Sequence, residues 1–476
     1  MRILFIASEA FPLVKVGGLA DVTSSLAIAL QDSGHEPCLI LPKYGSIRTP
    51  VQDIQGKNPD KVGTVSFMGH SEPATLKKTM LKGKIPVYLV ENQRYFGVEE
   101  IYAQGELERF LFFSLSIPDV ISQLELRPDI VHCHDWHTAL VPLWLKKAKI
   151  ALSCIFTIHN LAYQGPFDQQ FFLRSGLSPV WQEYIPADAP RPSLNFMSQG
   201  ILLADIVTTV SLTYALEILT PQYGEGLEQL LNYRRDELYG IVNGIDYDEY
   251  NPATDPYLER NYDSNTIERR VENKLALQRK GGLPQNSDIP LFGMVSRLDE
   301  QKGIDLLLQA IDPFITETRA QLVILGEGRE HYHKLLAEVA LKYTDRISVF
   351  IAYDERFARL IYGGCDIFLM PSRFEPCGLG QLIAMRYGAI PVVRHTGGLV
   401  DTVKDMAEGS GNGFVFQNYN ALEMLEAIKR AEESFYHQAE WQNLMRQNMK
   451  LDFSWKASAR KYEEIYLRAR NTSQAY

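Results

Sequence analysis

The sequence predicts an α/β protein built from two doubly wound parallel-sheet domains in tandem. Two observations carry this. Short apolar runs alternate almost throughout with longer amphipathic stretches, the pattern of parallel strands covered by helices. At 476 residues the chain also exceeds the size at which one hydrophobic core keeps growing.

In the first half, strands are predicted at residues 3–7, 36–41, 87–90, 130–132, 153–158 and 206–210. A helix over 18–33 joins the first two, and Gly34 stands where a helix C-terminal glycine belongs. Residues 64–81 alternate in polarity and read as a hairpin insertion. A second series of strands is predicted at 291–296, 321–325, 347–350, 367–370, 390–393 and 413–416. Helices over 303–311, 332–342 and 379–387 lie between them. The join is expected near Val242-Asn243-Gly244-Ile245-Asp246, at an Asn-Gly turn. This gives domains 1–241 and 242–453. A closing helix follows over 454–476, with an apolar stripe of Trp455, Ala459, Tyr462, Ile465, Tyr466 and Ala469.

A net charge of −10 argues against a nucleic-acid partner, which needs a basic field, but leaves a neutral polysaccharide open. Five scattered cysteines form no disulfide framework, and no apolar run is long enough to span a bilayer. The apolar start is cut short by Ser8-Glu9, so a cytoplasmic or other reducing setting is expected.

Ligands of open parallel sheets sit at the carboxyl ends of strands, so the loops there are the candidate site. The first, Lys15-Val16-Gly17-Gly18-Leu19, places a cation and two glycines at a helix start. Its amides could approach a phosphate, or the glycines could simply make a turn. The second, Asp129-Ile130-Val131-His132-Cys133-His134-Asp135-Trp136-His137, invites a metal reading. Strand alternation would send neighbouring ligands to opposite faces, so no metal is expected and Asp135 is read as presented to a cleft. In the third, His159 directly follows an apolar strand beside Asn160 and Gln164, a composition suited to sugar hydroxyls.

In the second half, Arg297 and Lys302 flank a strand-to-helix loop, which suits a diphosphate. Pro371-Ser372-Arg373-Phe374-Glu375-Pro376-Cys377-Gly378-Leu379 places Glu375 before a helix that Gly378 is expected to open. Thr396-Gly397-Gly398-Leu399 repeats the glycine-into-helix theme. Asp246-Tyr247-Asp248 has the pattern of metal-dependent sugar-nucleotide enzymes, but it follows a turn and is read as structural.

Taken together, Lys15–Val22, His134–His137, Thr157–Asn160, Val242–Asp246, Arg297–Lys302 and Glu375–Leu379 resemble the bacterial glycogen synthase and plant starch synthase family over nearly the whole chain. The resemblance implies a GT-B fold, two Rossmann-like domains facing a deep cleft, with the final helix crossing back to the first domain. It implies ADP-glucose as donor, the non-reducing end of an α-1,4-glucan as acceptor, retention of configuration, and no cofactor or metal. The implied partners are glycogen, starch or maltooligosaccharides, with no nucleic acid and no membrane, in the cytoplasm or a plastid stroma.

Position by position, Lys15, Gly18, Arg297 and Lys302 would hold the diphosphate, Gly17 would belong to the donor-binding loop, and Tyr353 would stack on the base. His159, Asn243 and Glu375 would contact the glucose, with Asp135 towards the acceptor. Asp21, Cys377, Gly378 and Leu379 complete the donor-binding signature, Asp21 by supporting its loop or the sugar. Two positions depart from common patterns. Ile383 stands where many retaining relatives carry a second glutamate, which fits glucan synthases. Val16 replaces the threonine of many bacterial enzymes. The alternative is a related GT-B glucosyltransferase using UDP-glucose or a small-sugar acceptor. A phosphorylase would need a lysine for pyridoxal phosphate and a longer chain.

Overall fold

The computed structural model describes residues 1–54, 63–102, 104–124 and 126–473. The chain forms two compact units, Met1–Asn243 with Trp455–Tyr476, and Gly244–Ser454.

The first unit contains β1 (Arg2–Ile6), α1 (Gly18–Asp32), β2 (Glu36–Pro42), β3 (Gln52–Asp53), β4 (Gly63–Phe67), β5 (His70–Leu81), β6 (Ile85–Glu91), β7 (Ile130–His134), β8 (Ser153–Ile158), β9 (Ile206–Thr209) and β10 (Leu238–Gly240). Their order in the sheet is β10-β9-β8-β7-β1-β2-β6-β5-β3, with β4 on β5. The central pairs are parallel, whereas β5 runs antiparallel to β3, β4 and β6. The chain proceeds to one side from β1 to β2 and to the other side through β7. The β1 and β7 carboxyl ends therefore form a topological switch point. Every residue of β7 and β8 is buried, as expected of strands covered on both faces.

Helix α1 buries Leu19, Val22, Leu26 and Leu30, recurring at three- and four-residue spacing. Its end is as the sequence predicts, with Gly34 at φ +89° directly after the C-cap Ser33. Residues 64–81 do form an antiparallel hairpin. The sequence reading assigns nothing to the helix Glu106–Gln123, whose apolar pattern is interrupted by Pro118. The C-terminal helix, Trp455–Ser473, buries the predicted stripe to 7 % exposure or less. Its Tyr466 Oη lies 2.9 Å from His132 Nδ1, and Ser153 Oγ donates to the Ala469 carbonyl at 3.3 Å.

The second unit is an all-parallel sheet of β11 (Leu291–Val295), β12 (Gln321–Gly326), β13 (Ile347–Ile351), β14 (Ile367–Met370), β15 (Ile390–Arg394) and β16 (Phe414–Phe416). The order β13-β12-β11-β14-β15-β16 puts its switch point at the ends of β11 and β14. The loops that follow those strands carry Arg297 and Glu375. Asp246-Tyr247-Asp248 is a local turn: Asp246 Oδ1 accepts from the Asp248 amide at 2.9 Å, and Tyr247 Oη donates to the Leu451 carbonyl at 2.9 Å. No helix among the described residues is long and apolar enough to cross a membrane.

Candidate functional site

In the first unit, the loop after β1 turns inward on itself. Glu9 is 2 % exposed, and its Oε2 accepts from the Val16 amide at 2.6 Å and the Gly17 amide at 3.0 Å. Tyr102 Oη donates to the other carboxylate oxygen. Lys15 Nζ donates to Asp21 Oδ1 at 2.8 Å. The anion held by the Val16 and Gly17 amides is thus this chain's own carboxylate. Sequence reasoning passed over Glu9, because an acid eight residues before a glycine pair has no spacing signature.

Asp135 directly follows β7 at φ +57°, a backbone conformation that a non-glycine residue adopts only when its surroundings enforce it. Its Oδ1 accepts from the His159 amide at 2.7 Å. Burial pushes its carboxyl up to about 7, while the His159 and Asn160 amides pull the other way. His159, just beyond β8, is half-buried, and its Nε2 lies 3.0 Å from His134 Nδ1. Burial pushes His159 down to about 3, so the ring is neutral at pH 7.

The three histidines of the β7 segment have different hydrogen-bond or stacking partners, although the His132 and His134 rings lie 4.1 Å apart. His132 meets Tyr466 and Thr157, His134 meets His159, and His137 stacks on Tyr102 at 5.2 Å. Among the described residues, no group of three or more His, Cys, Asp or Glu could hold a metal ion. Gln164, read from sequence as a sugar-binding neighbour, has both ends of its amide engaged. It donates to the Glu225 carbonyl at 3.0 Å and accepts from Asn195 at 2.7 Å, so it braces the loop. Asn243 is 6 % exposed, and its buried Oδ1 has no hydrogen-bond partner among the described residues.

In the second unit, Lys302 Nζ donates to Glu375 Oε2 at 2.6 Å, and Ser372 Oγ donates to the same oxygen at 2.9 Å. Lys302, Glu375, Ser372, Ser296, Tyr362 and Met370 are among the residues lining a cavity of about 160 Å³ at the β11/β14 switch point. Gly303, at φ +76°, lets the Lys302 loop meet β14, since a Cβ there would lie 2.1 Å from the Pro371 carbonyl oxygen. Gly397 plays the same part for Glu375, whose carbonyl oxygen a Cβ would approach to 2.0 Å. Arg297 is more than half exposed and is held by Gln301 at 3.0 Å and Asp299 at 3.4 Å. Tyr353, past the end of β13, is 75 % exposed.

One expectation fails locally. Gly378 does not open a helix; that helix begins at Gly380, and Gly378 is a left-handed turn residue at φ +74°. Gln381 Nε2 donates to the carbonyls of Cys377 and Gly378, so their oxygens are turned into the protein. Ser372 was missed because nothing in its neighbourhood marks a hydroxyl aimed at Glu375.

This arrangement matches known proteins along its length. Residues 2–233 match the starch synthase catalytic domain model and residues 278–448 the glycosyl transferases group 1 model. The chain is 46% identical to a glycogen synthase of Geotalea daltonii, covering 98% of each chain. It is 44% identical to one of Moorella thermoacetica, covering 98% of this chain and 97% of the other. Among solved structures, the catalytic domain of starch synthase IV from Arabidopsis thaliana, bound to ADP and acarbose, superposes with a TM-score of 0.90 at 35% identity and 99% coverage of both chains. A sucrose-phosphate synthase from Thermosynechococcus elongatus shares the fold at 16% identity, with a TM-score of 0.61 and 98% coverage of both. The fold is GT-B, and the chain belongs to the glycogen and starch synthase family of glycosyltransferases.

Proposed function

We propose that the enzyme transfers glucose from ADP-glucose to the non-reducing end of an α-1,4-glucan, with retention of configuration. The donor assignment is supported by the ADP bound to the related starch synthase IV. The observation that carries the chemistry is the buried Lys302–Glu375 pair at the β11/β14 switch point.

In this reading Lys302 and Arg297 neutralise the charge that builds on the departing diphosphate. Lys15, fixed by Asp21, adds to that charge, and Gly18 brings its backbone to the phosphates, whereas the Gly17 amide is held by Glu9. Glu375, Asn243 and His159 orient the glucose, and Cys377, Gly378 and Leu379 supply the surrounding backbone. Tyr353 offers its exposed ring to the adenine, and Asp135 lies towards the acceptor. As the bond from C1 to the phosphate oxygen breaks, the acceptor hydroxyl oxygen bonds to C1 on the same face. Its proton passes to the leaving phosphate. The positive charge is supplied by side chains, so no metal or cofactor enters the proposal.

A cytoplasmic or plastid-stromal setting fits the five cysteines, all of which are free thiols. The test is a donor comparison with and without a maltooligosaccharide. Rapid transfer from ADP-glucose, unchanged by a chelator, is expected. A preference for UDP-glucose, a small-sugar product or a trapped glycosyl-enzyme adduct would overturn the corresponding part.

A further inference from the structure

Three rings form a ladder across the ends of β1, β7 and β8. His134 is fully buried, lies nearly parallel to Phe5 (interplanar angle 10°, centroids 5.7 Å) and stacks against His159 at 5.3 Å. His134 Nδ1 and His159 Nε2 are 3.0 Å apart, so one donates and the other accepts. His134 Nε2, at the far side of the ring, is buried without a partner among the described residues. His159 Nδ1 has neither a hydrogen-bond partner among the described residues nor a place among the buried atoms lacking one, so it is open to solvent.

These contacts distinguish the two ways of placing the protons. If His159 donated from Nε2, the His134 proton would sit on Nε2, an N–H buried with nothing to accept it. Orphaned buried N–H groups are the rarer and costlier arrangement. If His134 donates from Nδ1, its Nε2 is left as a bare lone pair, and the His159 proton sits on Nδ1, the nitrogen that reaches solvent.

We infer that His134 is a positioning residue that locks His159 as the Nδ1–H tautomer, so that His159 meets its substrate as a fixed hydrogen-bond donor. Both rings are neutral because burial holds their pKa values far below the ordinary range. A neutral donor of fixed orientation suits a sugar hydroxyl oxygen and has no proton to exchange near pH 7. The functional half of the inference rests on the sugar-orienting role proposed for His159; the tautomer does not.

The test is nitrogen NMR of the free full-length protein carrying ¹⁵N-histidine, with the His159 signals assigned by their loss in His159→Gln. Nδ1 is expected at a protonated shift and Nε2 at an unprotonated one, unchanged between pH 6 and 8. In His134→Phe, which removes the donor, neither tautomer is fixed any longer, so the His159 nitrogens should show shifts averaged between the two forms and kcat should fall about tenfold at nearly constant acceptor KM. In His134→Asn, whose side-chain amide can donate from the same place, both the tautomer and the rate should return. A His159 proton on Nε2 in the unaltered protein, or a tautomer indifferent to His134→Phe, overturns the inference. The expected tautomer with unchanged turnover in His134→Phe upholds the lock and removes instead the role proposed for His159.

Discussion

Lys302 Nζ lies 2.6 Å from Glu375 Oε2, with both side chains largely buried and Ser372 donating to the same carboxylate oxygen. Such a charge pair is costly to split, because the partner left behind is an uncompensated buried charge. Lys302→Ala should therefore lower turnover by more than about a hundredfold, the loss expected for one preorganised electrostatic contact. Glu375→Gln should cost a similar factor. The double variant should be hardly worse than either alone, because the two groups act as a unit. Steady-state kinetics with circular dichroism as a folding control checks this; near-normal turnover in Lys302→Ala refutes the role.

His159→Ala should also lose more than about a hundredfold in turnover if its ring orients the reacting sugar. Only a modest change in stability is expected, since His159 is half-buried and one edge of its ring is already wet. Activity near that of the unaltered enzyme would place His159 outside the reaction.

Glu9 makes a prediction about motion. Glu9→Ala removes the acceptor of the Val16 and Gly17 amides, and these exposed positions can turn to water instead. Hydrogen exchange at both amides should accelerate strongly, while Glu9→Gln, which keeps an acceptor, should stay protected. Equal exchange in all three proteins would show that the carboxylate does not hold the loop.

Acid should destabilise the protein through its buried histidines. His132 and His137 are each pushed by burial from 6.5 down to about 3, and burial holds His134 well below the ordinary histidine range. Between those values the unfolded chain binds more protons, so their contribution is present above about 6.5 and is lost as pH falls. Each accounts for about 1.4 kcal/mol per pH unit in that window. Asp135, raised to about 7, acts with the opposite sign, since the folded protein holds the extra proton between its ordinary pKa and 7. Three groups outweigh one, so urea midpoints should fall from pH 7.5 to 5.5. Asp135→Asn should steepen the fall. A flat profile would contradict the neutral, buried state of these rings.

Most strand positions were legible because strands covered on both faces read as continuous apolar runs, as at Ser153–Ile158 and Ile367–Met370. Strand ends proved harder to place. Strand β7 extends through Cys133 and His134, beyond the apolar run, and both are buried, with the His134 ring lying against Phe5. The loops after β1, β7, β8, β11 and β14 stand out in the sequence because parallel sheets put their ligands at such strand ends. What lies within them does not. Glu9 on the Val16 amide, Ser372 on Glu375 and Gln164 on Asn195 are single side-chain pairings at separations of 7, 3 and 31 residues, and a single pairing leaves no periodicity in the sequence.

The hydrogen bond between His132 and Tyr466 joins residues 334 apart in the chain. The C-terminal helix that carries Tyr466 covers the β7–β8 face of the first unit, so this face stays bare during vectorial synthesis until nearly the whole polypeptide has emerged. The second unit, Gly244–Ser454, is contiguous and can fold while its predecessor is still incomplete. The first unit to be made is thus the last to be finished. Nonsense or frameshift lesions just before Trp455 should yield insoluble chains rather than partially active ones.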